Sequence, residues 1–74
     1  MREKLERVFK DVFSNTVAFS DELKREDVKL WDSLRHVQLL IAIEGEFGVR
    51  FDGSDATKMT SISDIIEVIK EKQT

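Results

Sequence analysis

The sequence predicts an all-α fold in which three main helices and one short helix enclose a small core, with a long loop after the first helix. Three segments carry apolar residues at helical spacing, no proline interrupts them, and the chain has 74 residues. A chain of this length buries only about 60% of the surface that it exposes when unfolded. We therefore expect one domain over residues 1–74, with a thin core and no room for a deep catalytic cleft.

The first helix is predicted from Arg2 to about Ser14. Its apolar residues follow the spacing i, i+3, i+4, i+7 and i+8, which places them on one face: Leu5, Val8, Phe9, Val12 and Phe13. Because serine and asparagine favour caps and turns, Ser14 and Asn15 are the expected end of this helix. The stripe predicts core packing and carries no functional assignment.

Residues 15–32 lose this periodicity and form the predicted long loop. Its 18 residues are many for a connection, so we expect it to contain local structure or to serve a function. Apolar residues are spread along it, which predicts that it packs on the core: Val17, Phe19, Leu23, Val28, Leu30 and Trp31. A short helical turn is expected near Asp21–Glu26, and Trp31 is expected to anchor the loop because large aromatic residues contribute mainly through burial.

The second helix is predicted from Ser33 to about Phe47, with a buried stripe formed by Val37, Leu40, Ile41 and Phe47. An early serine suits a helix start, where its side chain can accept a hydrogen bond from a backbone N–H group. The same position offers unpaired N–H groups and a partial positive charge, so a phosphate attached to Ser33 would also be stabilised there.

The second helix contains Gly45, which costs about 1 kcal/mol relative to alanine and therefore predicts either close approach of another element or fraying. Gly48 is expected to end this helix in the left-handed conformation. An extended link over residues 49–51 and a turn at Asp52-Gly53-Ser54 should follow, and residues 54–59 should form the short helix.

The last helix is predicted to begin near Thr60-Ser61, where Ser61 and Asp64 form a weak capping box. Its buried stripe is expected to contain the isoleucines Ile62, Ile65, Ile66 and Ile69, and its solvated face Glu67, Lys70, Glu71 and Lys72. The nearby acidic residues Asp52 and Asp55 do not match the spacing of a calcium-binding loop, so no metal site is predicted.

Composition excludes several classes of function. The net charge of −3 and the absence of a basic cluster argue against nucleic acid as a partner. The chain has no cysteine, which excludes disulfides and thiolate metal sites. The longest apolar run, Leu39 to Ile43, is too short to cross a membrane, and the first residues lack the apolar segment of a secretory signal. We expect a soluble, cytoplasmic monomer.

The run Trp31-Asp32-Ser33-Leu34 at the head of the second helix, with Glu44-Gly45-Glu46-Phe47-Gly48 near its end, resembles the acyl carrier protein family. The likeness is greatest to free-standing members with the pattern W-D-S-L-x-H-V. It implies that 4′-phosphopantetheine from coenzyme A is esterified to Ser33 and that acyl groups are carried on it as thioesters. It also implies an acyl-carrier-like helical bundle, with lipid metabolism or fatty acid biosynthesis as the setting.

The same resemblance implies partner enzymes rather than an enzymatic activity of this chain. These partners are a phosphopantetheinyl transferase, an acyl-loading ligase or acyltransferase, and synthase or transferase enzymes. Asp32 belongs to the motif that the transferase reads, and Leu34 is an apolar contact for partners. The full set expected to recognise partners is Asp32, Leu34, Arg35, Gln38, Ile41 and Glu44.

Arg35 and Gln38 occupy positions that are acidic in the better-known fatty-acid carriers and that meet basic patches on synthases. Since charge complementarity selects partners, we expect a specialised lipid or secondary-metabolite pathway. Apolar residues such as Ile41, Ile43 and Phe47 are candidates for sheltering an acyl chain between helices.

Two alternatives remain at this point. In a protein-interaction module without a prosthetic group, Ser33 would be a simple helix cap. A peptidyl or aminoacyl carrier would be a carrier of the same class, but its attachment motif more often has glycine ahead of the serine, so W-D-S-L fits acyl carriers better. A Ser33–His36 catalytic pair is not expected, because no orienting carboxylate or oxyanion hole is evident in so small a domain.

Overall fold

The computed structural model describes residues 2–14 and 18–73. The helices are α1 (Arg2–Phe13), α2 (Ser33–Phe47), α3 (Gly53–Lys58) and α4 (Ile62–Gln73), and the long loop contains a 3₁₀ turn at Arg25–Asp27. Within these described ranges the β pairing is an isolated antiparallel bridge between Lys24 and Ser61. The predicted all-α fold with three main helices and one short helix is confirmed. None of the described helices is long and apolar enough to span a membrane.

The core is formed by α1, α2 and α4 together with the long loop. Its largest fully buried side chains come from these three helices and from the link before α4, and the long loop adds the buried Val28 and Trp31. The fully buried set is Leu5, Phe9, Phe13, Leu39, Ile43, Met59, Ile62, Ile65 and Ile69. The stripes predicted for α1 and α4 are confirmed, with Val12 and Ile66 half-buried at their edges and Val68 as an additional buried residue of α4.

Trp31 fixes the long loop to the core, as predicted from its size. Its side chain is 3% exposed, and its ring centroid lies 5.6 Å from that of Phe9 and 5.5 Å from that of Phe13. Phe19, from the start of the described part of the loop, meets Phe9 edge-on at 5.6 Å. Such aromatic pairs add about 0.5–1.5 kcal/mol each beyond their area burial. The loop is therefore packed against α1 at both of its described ends.

The helical turn in the loop lies later than predicted. It covers Arg25–Asp27 instead of Asp21–Glu26, because the Arg25 N–H donates to the Thr60 carbonyl (2.8 Å) and ties the turn to the segment before α4. The end of α1 agrees with the prediction in part: Ser14 adopts a left-handed φ of 64°. Asn15 and Val17 lie outside the described residues.

The bounds predicted for α2 are correct, and its predicted buried stripe is confirmed at Leu40 and in part at Phe47 but is wrong at Val37 and Ile41. The buried residues are His36, Leu39, Leu40 and Ile43, and the exposed fractions of Val37 and Ile41 are 52% and 62%. The buried set has the spacing i, i+3, i+4 and i+7, and it forms the side of α2 that belongs to the core shared with α1. The sequence contains two interleaved apolar stripes on this helix, and the stripe with the histidine is the one that packs.

Gly48 ends α2 with a φ of 66°, as predicted. Gly45 neither allows a close approach nor marks fraying, because a Cβ built there would meet nothing within 4 Å and the helix continues to Phe47. Asp52 does not begin a free turn: it is the N-cap of α3, with its side chain accepting the Asp55 N–H (2.8 Å) in a reciprocal capping box. The short helix therefore begins at Gly53, one residue before the predicted start.

The cap of α4 is shared between two residues. The Ser61 hydroxyl oxygen accepts the Asp64 N–H at 3.1 Å, as a serine cap should. The Asp64 carboxylate accepts from the hydroxyl of Thr60 at 3.0 Å. The capping interaction expected at Ser61 is confirmed, and Thr60 extends it.

Candidate functional site

The two adjacent residues at the start of α2, Asp32 and Ser33, have different roles. Asp32 is the N-cap: its backbone is extended, and its Oδ1 accepts the Arg35 N–H at 2.8 Å. Ser33 is the first residue of the helix and is exposed, and within residues 2–14 and 18–73 its hydroxyl has no hydrogen-bond partner. The interpretation of Ser33 as the cap is therefore wrong, because the preceding aspartate holds that position. The helix start does not require a serine at residue 33.

His36 connects three parts of the fold and faces the interior. The indole N–H of Trp31 donates to His36 Nδ1 at 2.9 Å, and His36 Nε2 lies 3.0 Å from the carbonyl oxygen of Ala56. Since tryptophan can only donate, Nδ1 is the acceptor, and the proton of the neutral ring lies on Nε2, which donates to Ala56. Both ring nitrogens are thus engaged, so the ring holds the long loop and α3 against α2.

The exposed side of α2 carries apolar residues beside Ser33. Leu34, Val37 and Ile41 are 66%, 52% and 62% exposed, and their spacing of i, i+3 and i+7 places them on one face. Gln38 is exposed as well. These residues begin one position after Ser33, so a protein that reaches Ser33 along α2 meets an apolar surface.

The chain was also compared with the sequences and structures of known proteins. No protein-family model matches the chain. The acyl carrier proteins of Rickettsia canadensis (strain McKiel) and Rickettsia rickettsii (strain Iowa) are each 48% identical to it over 48 residues. The matched region covers 65% of this chain and 55% of each relative, so the chain spans little more than half the length of the curated relatives that it matches.

The fold of this chain also matches that of a solved acyl carrier protein over nearly its whole length. The solution NMR structure of a holo acyl carrier protein from Geobacter metallireducens has a TM-score of 0.85 to this structure and 24% sequence identity. It covers 96% of this chain, and 83% of that chain is covered in return. The chain is similar in sequence to these acyl carrier proteins and has the same fold as the solved one.

Two charged residues that were expected to contact partners form hydrogen bonds within the fold. Arg35 is half-buried, and its guanidinium donates to the carbonyl oxygen of Val12 at 2.6 Å, near the end of α1. Glu44 is half-buried as well, and its Oε2 accepts the Phe51 N–H at 2.7 Å, after the turn at Gly48. Arg35 therefore joins α2 to α1, and Glu44 joins α2 to the link before α3.

The candidate residues for sheltering an acyl chain do not face a common space. Ile41 is exposed, Ile43 is fully buried in the core, and Phe47 is half-buried. An open depression of about 870 Å³ lies elsewhere, between the long loop and the start of α4, with Lys24, Trp31 and Asp64 among its lining residues. In the described part of the chain no group of three or more histidine, cysteine or acidic residues is arranged for a metal ion.

An ion pair that sequence analysis missed holds α3 to the end of α4. Lys72 Nζ lies 2.8 Å from Oδ2 of Asp55, whose side chain is 12% exposed. The Lys72 ammonium, with the Asp52 N–H as a second donor, holds the pKa of Asp55 below its ordinary value of about 3.8, and the Asp55 carboxylate raises the pKa of Lys72 above 10.5. These residues are 17 positions apart in sequence, and no local pattern connects them.

Because Asp32 caps α2 and Ser33 does not, substitutions at these two residues should change the free energy of unfolding by different amounts. Asp32→Ala removes the oxygen that accepts the Arg35 N–H, and should lower the free energy of unfolding by about 1 kcal/mol. Ser33→Ala removes an unbonded hydroxyl and should change it by less than about 0.5 kcal/mol. Urea unfolding followed by circular dichroism measures both. A loss of equal size in the two variants would contradict this assignment of the cap.

The Asp55–Lys72 pair predicts a pH-dependent contribution to stability. Because the folded-state pKa of Asp55 is lowered, its contribution is present above about pH 3.8 and is lost as the pH falls through the folded pKa. Asp55→Asn should therefore lower the melting temperature at pH 7, and the difference from the unsubstituted protein should shrink in acid. Asp21→Asn, which breaks the exposed Arg2–Asp21 pair, is the control with little expected effect at either pH. A difference that stays constant into strong acid would exclude the ion pair as its cause.

Proposed function

We propose that this chain is an acyl carrier in which Ser33 is the attachment point of 4′-phosphopantetheine. The observation that carries the proposal is the exposed, unbonded hydroxyl of Ser33 at the first position of α2, with the cap already supplied by Asp32. The similarity to acyl carrier proteins gives this hydroxyl its expected use. A helix cap would not explain why the serine itself is present.

The residues at this position fit a phosphodiester. The start of α2 supplies backbone N–H groups and the positive end of the helix dipole, which stabilise negative charge. The Asp32 carboxylate occupies the Arg35 N–H, so the other backbone N–H groups at the start of α2 would hold the phosphate. When bound, phosphopantetheine supplies the thiol on which acyl groups are carried, and the chain itself has no cysteine.

The carrier role requires no catalytic residue in this chain. His36, the single histidine, has both ring nitrogens engaged by Trp31 and Ala56, so neither is directed at Ser33. The chemistry would be done by partners: a phosphopantetheinyl transferase that uses coenzyme A, a ligase or acyltransferase that loads the thiol, and synthases or transferases that use the acyl group. Asp32 and Leu34 flank the attachment point and would be read by the transferase.

The pathway that we propose is a specialised one. Two exposed turns of α2 that follow Ser33 carry Arg35 and Gln38 instead of carboxylates, and Arg35 is bonded to Val12. This surface lacks the negative charge that a basic synthase patch would attract. A dedicated loading enzyme, specific for a lipid or secondary-metabolite precursor, fits such a surface better.

The first test is intact-protein mass before and after incubation with coenzyme A, Mg²⁺ and a broad-specificity phosphopantetheinyl transferase. The proposal expects a gain of one phosphopantetheine. Ser33→Ala should abolish the gain, and Ser54→Ala, which removes an exposed serine near the start of α3, should retain it. A folded protein that gains no mass, or a gain that persists in Ser33→Ala, would contradict the proposal.

The pathway is tested with the protein that carries phosphopantetheine with its thiol free, and with a malonyltransferase of general fatty acid synthesis. We expect malonyl transfer to be at least about tenfold less efficient, as kcat/KM, than transfer to that enzyme's own carrier, because one or two lost ion pairs correspond to about this factor. Equal efficiency would assign this chain to general fatty acid synthesis. Loading by an amino-acid-activating ligase would instead identify an aminoacyl carrier.

A further inference from the structure

The boundary between α2 and α3 is closed beside the proposed attachment point. His36 of α2 is 7% exposed, and its Nε2 donates to the carbonyl oxygen of Ala56 in α3 at 3.0 Å. We call this contact between His36 and Ala56 the α2–α3 seam. Residues three positions apart are neighbours on a helix surface, so the imidazole lies about one turn from Ser33. A group attached to Ser33 would therefore meet the seam before it entered between the two helices.

The seam is held by directional hydrogen bonds that an alkyl chain cannot replace. The indole N–H of Trp31 donates to His36 Nδ1 at 2.9 Å, so the imidazole satisfies a donor on one side and the Ala56 carbonyl on the other. A buried polar group that loses its partner is costly. An alkyl chain that displaced the ring would offer neither an acceptor to Trp31 nor a donor to Ala56. Opening of the seam by such a chain is therefore unfavourable.

The short helix α3 is also fixed at other points than the seam. Lys72 Nζ lies 2.8 Å from Asp55 Oδ2, which joins α3 to the end of α4. Glu44 Oε2 accepts the Phe51 N–H at 2.7 Å, which joins the link before α3 to the end of α2. A movement of α3 away from α2 would strain these contacts along with the seam.

The interior behind the seam is occupied by the core. Leu39 and Ile43 of α2 and Met59 after α3 are fully buried, and a chain that entered would have to displace such side chains, because protein interiors are close-packed. The open depression of about 870 Å³ between the long loop and the start of α4 is lined mainly by charged and polar side chains, with Lys24 and Asp64 among them. Neither place offers a long alkyl chain a ready apolar shelter.

We propose that the cargo of this carrier is a short or polar acyl group that stays outside the helices, and not a long-chain fatty acyl group sheltered between them. The proposal rests on the proposed carrier function and names the class of group that is carried. A long alkyl chain outside the helices would remain in contact with water, which is unfavourable for apolar surface. A short or polar acyl group exposes little apolar surface and needs no shelter.

The test compares how fast hydroxylamine cleaves different acyl thioesters on the unsubstituted protein. A phosphopantetheinyl transferase loads the protein from acetyl-, hydroxybutyryl- or octanoyl-coenzyme A, and each cleavage rate is divided by that of the same acyl group on coenzyme A. We expect the three relative rates to agree within about twofold, because none of the thioesters is sheltered. An octanoyl form that is cleaved at least about tenfold more slowly than the acetyl form would overturn the proposal, because the chain would then spend most of its time inside.

Amide chemical shifts measured by NMR give a second readout. A chain between α2 and α3 would change the surroundings of the backbone amides of Ile43, Ala56 and Met59. We expect these amides to have the same shifts in the octanoyl and acetyl forms, with changes on loading confined to residues beside Ser33. A shift at Met59 that appears with octanoyl and not with acetyl would contradict the proposal.

A matched pair of substitutions tests whether the seam is what excludes the chain. His36→Ala removes the ring and should slow cleavage of the octanoyl form about threefold or more relative to the acetyl form, because the chain can then enter. Ile41→Ala truncates an exposed side chain of the same helix and should leave both rates unchanged. Circular dichroism establishes that the variants are folded. Equal relative rates in a folded His36→Ala would exclude the seam as the cause, and if this variant does not fold, the comparison on the unsubstituted protein decides the proposal by itself.

Intact-protein mass after loading separates the cargo from the carrier function. If octanoyl-phosphopantetheine is attached at Ser33 and its thioester is protected, the short or polar cargo is wrong while the carrier function stands. The absence of any mass gain, with every acyl-coenzyme A tried, would overturn the carrier function and this proposal together.

Discussion

The structure depends on the position of His36 between Trp31 and Ala56. The indole N–H of Trp31 reaches Nδ1, and Nε2 reaches the Ala56 carbonyl, so one ring joins the long loop, α2 and α3. Loss of the ring would leave a buried indole N–H without a partner, which costs about 1–3 kcal/mol. With His36 directed inward, the rotation of α2 is fixed. Leu34 and Ile41, on the other side of the helix, are therefore directed to solvent.

The same constraint determines where Ser33 lies. The segment from Trp31 to His36 contains the buried indole, the cap at Asp32 and the first turn of α2, and both of its ends are fixed in the core. Ser33 therefore lies on a rigid helix start with its hydroxyl exposed. For the proposed attachment at Ser33 this arrangement is favourable, because a site on a rigid element is presented in one orientation.

Much of the fold follows from the sequence, because helix periodicity and caps are local. The bounds of α2 and the end at Gly48 are determined by apolar spacing and by glycine's tolerance of positive φ. The rotation of α2 about its own axis could not be predicted in this way. Two apolar stripes compete on this helix, one with Leu40 and Ile43 and the other with Val37 and Ile41, and periodicity alone does not separate them. The choice is made by a buried histidine, whose partners come from outside the helix.

The candidate site, like the fold, could be predicted from the sequence only in part. The motif around Ser33 is contiguous, so it could be recognised, and the exposure of Leu34 follows from its position just after the cap. The roles of the charged residues were harder to predict, because their partners are remote in sequence. Arg35 binds a carbonyl 23 residues away, and Asp55 pairs with Lys72. A charge pattern along one helix does not show which charges are already used within the fold.

This distinction changes how charge on α2 should be interpreted. Val12 is next to the last residue of α1, where carbonyl groups lack helical partners and a cation is favourable. Arg35 therefore stabilises α1 as well as giving α2 its local positive charge. Replacing it with an acidic residue would alter docking and weaken the α1–α2 connection in one step, and the two effects would be inseparable. Gln38 is exposed, and its side chain has no hydrogen-bond partner among residues 2–14 and 18–73, so the surface charge of α2 can be changed there independently of the fold.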